Sequence, residues 1–459
     1  MRVRNHSRAL CVPFCKMERR FDDRWVKEQT EQTVAVWRAC AGDLQYQLPQ
    51  FDTSEQRKRE KAYDDGLRAV QREARKAPRN AAERLQTRQR IVEVFPRFAA
   101  IALGLEGAAI ELLTNGFLPA GTQLAQWARR YDPTLSCEDT IQACRNAWTS
   151  CGLQELLGEP MGITPSIFGY SMLYPYSDNF LDQEAASTAD KLRFSARFRE
   201  RLLGHEPTAE SPREAAVWAM VQLIEQQYAR PRFPQVFDCL LAIHSAQERS
   251  IAQQKHGIRD GEELLQISCA KGGTSVLADA CLVRGSLDDE ESRFAFEWGA
   301  LLQLGDDLQD VRDDWRNGSS TLFTQAVAEG KPLDSLVNQL LNLSQHVVAG
   351  MDRLPGGDAT LRELLRMSWR SLIVMAVANV PEYFTPQFLA TLECCSPFRF
   401  AFLRKRNKRF IGQKGLYEVL FDAFVEAGEE PASVLPRHHA IANTVGDEDI
   451  AAELAVTAA

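Results

Sequence analysis

An all-α fold, built as a single large helical bundle, is what this sequence predicts, and three observations carry the prediction. Apolar residues recur three and four positions apart along most of the chain, which gathers them on one face of a helix. Runs that alternate apolar and polar residues, the pattern of a half-buried strand, are scarce. Clusters of Gly, Pro, Ser, Asn and Asp separate the periodic segments.

Taken in order, residues 1 to about 45 read as an extension. Helical periodicity then runs through 54–77, 84–96, 138–151 and 190–204. After "EPTAESP" it resumes at 212–229, after "RPRFP" at 234–255, and again at 261–283. The turn "RGSLDD" introduces 288–316 and "NGSS" ends it; 333–352 follows, and "LPGGD" introduces 358–379. A last segment covers 414–426, and residues 431–459 read as a mobile tail. No repeat with a period of about 20–50 residues is present, so residues 46–430 form one domain in this reading.

Composition narrows the function classes. Lys plus Arg is 54 against 62 Asp plus Glu, a formal charge of −8 over 459 residues, which argues against nucleic acid as the main partner. No segment reaches the ~18 apolar residues of a membrane-spanning helix, and the basic start lacks the apolar stretch of a signal peptide. The chain reads as soluble and cytoplasmic. Its 11 cysteines spell no metal site: Cys11 and Cys15 have no second ligand pair at zinc-finger spacing. Cys137, Cys144 and Cys151 recur every seven residues on one helix face, as buried reduced thiols would.

The stretch "GALLQLGDDLQDVRDDWRNG" is the most informative. It sets Asp306, Asp307, Asp310, Asp313 and Asp314 within nine positions, directly after an apolar run. On one continuous helix these carboxylates would share an arc of about 120°, where like charges repel. A solvated acidic face is one reading. A functional reading needs an opposing acidic pair, and Asp178 and Asp182 supply one at i, i+4, flanked by Phe168, Tyr170, Tyr174, Tyr176, Phe180, Phe194 and Phe198. Facing carboxylates are hard oxygen ligands suited to Mg²⁺ shared with a substrate diphosphate. Aromatic faces nearby would stabilise the carbocation left when that diphosphate departs.

These residues resemble the class I isoprenoid (terpenoid) synthase superfamily over 165 to about 325. "QLGDDLQD" is similar to the second Asp-rich motif of trans-prenyl diphosphate synthases, carried by Asp306, Asp307 and Asp310. The longer "QLGDDLQDVRDD" is similar in register to the second motif of squalene and phytoene synthases. It also matches the spacing of the terpene-cyclase metal triad at Asp306, Asp310 and Asp314, with Asp where cyclases carry Ser or Thr and then Glu. "CAKGGTSVLADACLV" resembles the segment where a Lys before small residues contacts the diphosphate, which gives that place to Lys271. "NGSSTLFTQAV" is similar to the Thr-Leu-Pro stretch of prenyl synthases, with Phe323 replacing Pro.

The departures guide the choice of reaction. "SDNFLDQEAAS" begins with one Asp and lacks the Arg pair that follows the first motif of trans-prenyl synthases, and their upstream Gly-Lys-x-x-Arg segment is not visible. Asp178-x-x-x-Asp182 sits closer to squalene-type synthases and to large bacterial cyclases. The resemblance therefore implies a bundle around a central apolar pocket and a Mg²⁺-dependent enzyme. Such an enzyme would ionise an allylic prenyl diphosphate and then cyclise or couple the cation. Condensation with isopentenyl diphosphate, or a non-catalytic helical protein that binds lipid or a partner, are the rivals; a homodimer is compatible with any of these.

Single residues carry competing readings. Asp178, Asp182, Asp306, Asp307, Asp310 and Asp314 are the candidate metal ligands, with Asp178, Asp182, Asp306 and Asp310 the catalytic set. Lys271 contacts diphosphate or snorkels to water. Arg249, Lys191 and Arg193 are candidate phosphate contacts or ordinary solvated cations. His244 and Glu248, four apart, read as a helix-surface pair. "SPFRFAFLRKRNKRF", 396–410, is a core stripe with a solvated basic face, or a peripheral contact with membrane lipid.

Overall fold

The computed structural model describes residues 20–76, 80–178, 180, 187–251, 253, 260–411, 421 and 425. Every regular element among them is helical: α1 Asp23–Ala39, α2 Thr53–Ala74, α3 Ala81–Phe98, α4 Gly107–Leu112, α5 Leu118–Tyr131, α6 Cys137–Leu156 and α7 Pro165–Leu173 come first. Next are α8 Thr188–Leu202, α9 Pro212–Gln227, α10 Pro234–Ser250, α11 Gly261–Arg284, α12 Asp289–Gln309, α13 Val311–Asn317 and α14 Leu322–Ala328. The chain continues with α15 Asp334–Gly350, α16 Ala359–Asn379, α17 Pro386–Glu393 and α18 Phe400–Ile411.

The turn chemistry acts as expected at several ends. Ser211 caps α9 with Pro212 in its first turn. Gly285, at φ 83°, ends α11 in a left-handed conformation that Gly adopts without a Cβ clash. Three residues later Asp288 and Glu291 form a capping box at the start of α12. This short connection makes α11 and α12 an antiparallel pair at the centre of the bundle. Gly272 and Gly299 let the two backbones touch: a Cβ on either would run into the other's carbonyl oxygen.

Around that pair, α10, α6, α7 and α1 pack against α11, while α15 and α16 pack against α12. The buried apolar side chains form one dominant cluster, including Leu153, Phe168, Met220, Leu277, Phe294, Leu340 and Val377. Among the described residues, no helix is long and apolar enough to cross a membrane.

The structure differs from expectation at four places. The boundary near residue 45 does not separate packing units, because α1 buries Val26, Val34 and Trp37 against the body. Pro165–Leu173 was not legible as a helix: Ser166 through Leu173 are all buried, so no polar face marks a period. Residues 99–131 contain two π-helical turns, 99–103 and 113–117, that interrupt the 3.6-residue spacing. The expected helix 288–316 breaks at Asp310, whose φ of −93° and ψ of 3° leave the α region. A straight continuation would have kept five like charges on one face; the break divides them. The expected segment 414–426 lies almost wholly outside the described residues, and the tail 431–459 lies outside them entirely.

The thiol readings have a physical counterpart. The described cysteines are free, and burial pushes Cys144 and Cys151 up to about 12. Cys11 and Cys15 fall outside the described residues.

Candidate active site

The helices enclose a cavity of about 1580 Å³, larger than the ~300–1,000 Å³ of ordinary small-molecule pockets. Its wall is largely apolar: Phe198, Leu240, Val276, Trp298, Leu302 and Trp369 contribute. The Trp298 and Trp369 rings lie 5.3 Å apart between centroids. Tyr170 and Tyr174, from the aromatic flank singled out in the sequence, also line it, whereas Phe168 is buried in the core against Trp127. Tyr176 donates its hydroxyl to Asp132 at 2.8 Å, and burial followed by that carboxylate raises its pKa.

One corner of the same wall is charged. Lys271 enters from α11, Arg145 from α6, and Asp306 and Asp310 from the end of α12. The Arg145 guanidinium lies 3.4 Å from Asp306 Oδ1. The Asp306 side chain lines the cavity and keeps 42 % of its surface open. Burial raises its pKa to about 6; Asp310 and Asp307 add to the rise, and Arg145 and Lys271 oppose it. Asp314 rises to about 7, through burial and then the charges of Asp307 and Asp310. Asp310 is raised by burial too, opposed by Gln309 and Arg145.

The five carboxylates thus divide by task. Asp306, Asp310 and Asp313 line the cavity, Asp313 also pairs with Arg316 at 3.2 Å, and Asp314 is half-buried outside the lining. Asp307 is turned into the α11–α12 seam, where Ser268 Oγ donates to it at 2.6 Å and Gln303 Nε2 at 2.8 Å. That is the environment of a structural carboxylate with both oxygens satisfied. Among the described residues, no three His, Cys, Asp or Glu side chains converge as a metal site. The opposing pair bears on this directly: Asp178 ends the π-helical turn 174–178 that follows α7, and Asp182 lies outside the described residues.

The candidate phosphate contacts separate in the same way. Lys271 lies in the cavity wall, but Lys191, Arg193 and Arg249 do not. Arg193 is exposed and pairs with Asp190 at 3.4 Å, and Arg249 is exposed at the end of α10. His244 is no surface residue: it is buried and lines the cavity, with Nε2 3.3 Å from Ser195 Oγ and 3.6 Å from Glu248. The imidazole and then Ser195 hold the Glu248 carboxyl down at about 2. In 396–410, Phe398 is buried and Phe402 lines the cavity, while Arg399 pairs with Glu60 and Arg406 with Asp64. Arg399 and Arg406 thus face α2, while Arg404 Nη1 donates to the Ala378 carbonyl at 3.2 Å.

Arg145, Asn146 and Asp279 were not singled out from sequence. Asp279 left one trace, a lone acid inside the apolar run "SVLADACLV".

No protein-family model matches the chain, and no curated protein matches it. Among solved structures it is similar to the crystal structure of a decaprenyl diphosphate synthase from Rhodobacter capsulatus. The identity is 12 % and the TM-score 0.30, over 70 % of this chain and 99 % of that one. At that level of likeness, the chemistry has to stand on this chain's own residues.

Proposed function

We propose that the protein ionises an allylic prenyl diphosphate with Mg²⁺ and then cyclises or couples the carbocation. The observation that supports this reading is the continuity of a charged corner with a long aromatic wall inside one cavity of about 1580 Å³. A diphosphate needs cations at one end of its site, and a prenyl chain needs apolar surface along the rest.

Lys271 and Arg145 are the cations within that corner and would hold the diphosphate oxygens. Asp306 and Asp310, with Asp314, and Asp178 and Asp182 as the opposing pair, would hold Mg²⁺. The donor chemistry fits: these are hard carboxylate oxygens, and burial, the largest cause of the raised pKa values of Asp306, Asp310 and Asp314, disfavours their charge until a cation offsets it. When bound, the metal neutralises charge that builds on the departing diphosphate.

Ionisation breaks the bond between the allylic carbon and the diphosphate oxygen, and the electron pair leaves with the diphosphate. The Phe198, Trp298 and Trp369 rings, which line the wall, would face the allylic cation and stabilise it through their quadrupoles. The apolar wall would also keep water from trapping the cation early.

The test is a product assay on farnesyl and geranylgeranyl diphosphates, with and without isopentenyl diphosphate. Released diphosphate with a hydrocarbon or alcohol product is the expected result, and EDTA should abolish it. Longer diphosphates formed only with isopentenyl diphosphate would assign elongation instead. No diphosphate release at saturating Mg²⁺ would remove the enzymatic reading altogether.

A further inference from the structure

Within the cavity wall, a buried acid organises a polar group that nothing above uses. Asp279, on α11, has a relative exposure of 1 %. Its Oδ1 accepts from Ser150 Oγ at 2.8 Å and from Asn146 Nδ2 at 3.0 Å. Its Oδ2 is buried without a hydrogen-bond partner among the described residues.

Asn146 is the more telling partner. Its amide nitrogen also donates to Ser171 Oγ at 3.1 Å, so both amide hydrogens are committed to groups on α7 and α11. The side chain is only half-buried and belongs to the cavity wall. Among the described residues no donor meets its carbonyl oxygen. With both amide hydrogens taken, the carbonyl oxygen is the polar atom that Asn146 has left to offer the cavity it lines.

We propose that Asn146, held by Asp279 and Ser171, presents its carbonyl oxygen to the cavity as the fixed negative end of a dipole that selects a positively charged group in the bound ligand. Asp279 is then a positioning residue and Asn146 the contact. A dipole fixed before the ligand arrives costs no reorganisation, and in an apolar wall it acts with little screening. Burial pushes the Asp279 carboxyl up to about 8, with Ser150 and Asn146 opposing, so near neutral pH the acid is largely uncharged and anchors the amide without adding a competing charge. The inference rests on the proposed function only for the identity of the charge, an allylic carbocation.

The test is a binding measurement that needs no turnover. Quenching of Trp fluorescence, to which the cavity residues Trp298 and Trp369 contribute, is followed during titration with decyltrimethylammonium and with the neutral methyl ether of the same chain length. Wild type should prefer the ammonium ion. Asn146→Leu and Asp279→Leu should each lower that preference roughly tenfold, the size of one hydrogen-bond-strength contact to a charge, and leave the ether affinity unchanged. Asp279→Asn keeps an acceptor for Asn146 and should retain the preference, which a merely space-filling role would not predict. An unchanged preference in Asn146→Leu overturns the proposal, as does a wild type that binds both probes equally. Should Asp279→Leu fail to fold, Asn146→Leu decides alone. Failure of the enzymatic reading shows separately, as no diphosphate release by wild type.

Discussion

Asp306 and Asp279 line one cavity from adjoining helices, and burial is the largest cause of the raised pKa of each. What surrounds them differs. Asp306 has Arg145 and Lys271 against it and the like charges of Asp310 and Asp307 beside it. Asp279 has only the neutral partners Ser150 and Asn146. A carboxylate raised partly by its neighbours' charges can be relieved by an arriving cation. One raised by burial alone is relieved by a proton. The same residue type therefore suits ion capture in one corner and fixed scaffolding in the wall.

The largest expected effect breaks the proposed metal site. Asp310→Ala and Asp178→Ala should each lower diphosphate release by at least two to three orders of magnitude, roughly the scale of losing one preorganised electrostatic contact. The far-UV circular dichroism spectrum should stay unchanged, because removing a repelled carboxylate rarely unfolds a helix. Arg193→Ala and Arg249→Ala, outside the cavity, should change the same rate by less than about twofold. Wild-type rates in both Asp variants would return the acidic stretch to the status of a solvated face.

Next in size is a thermal-shift experiment on the same corner. Mg²⁺ and inorganic diphosphate together should raise the melting temperature by more than the sum of the two added singly. Binding to the native state contributes about 2.7 kcal/mol at a hundredfold excess over Kd. Asp306→Asn/Asp310→Asn should abolish the synergy while raising the melting temperature of the ligand-free protein, since repulsion is relieved. Additive shifts in wild type would count against a shared site.

A pH profile sharpens the other half of the comparison. The Asp279 pKa lies near 8 in the folded protein against an ordinary 3.8. A raised folded pKa means that the native state binds the proton more tightly. Its stabilising contribution is complete below about pH 4 and is lost as the pH rises through about 8. Wild-type melting temperature should therefore decline across that window, and Asp279→Asn should flatten the decline and melt higher at pH 9. Parallel pH profiles for the two proteins would show that Asp279 does not titrate as its surroundings imply.

The parts of the fold with one polar face were legible in the sequence. Helices α9, α11 and α16 fall within a few residues of the expected segments, because periodicity and caps such as Ser211 and Asp358 are local signals. Helix α7 was hidden because it is buried all round. Asp306 and Asp310, singled out by their spacing, and Lys271, singled out by a resemblance, all line the cavity. The inward turn of Asp307 was not, since it depends on Ser268 on another helix. The same holds for Asn146 and Asp279, joined across 133 positions, and for His244, whose neighbour Ser195 is brought in by α8.

The contact between Gly272 and Gly299 also has a consequence for how such a protein can diverge. Lys271 directly precedes one of these glycines, and Asp306 lies two turns beyond the other on a helix that cannot slide without a main-chain collision. The span between cation and carboxylate is therefore ruled by backbone against backbone. The aromatic lining from α8 and α16 is under no such rule. Substitutions there can remould the hollow while the spacing between Lys271 and Asp306 keeps its calibration.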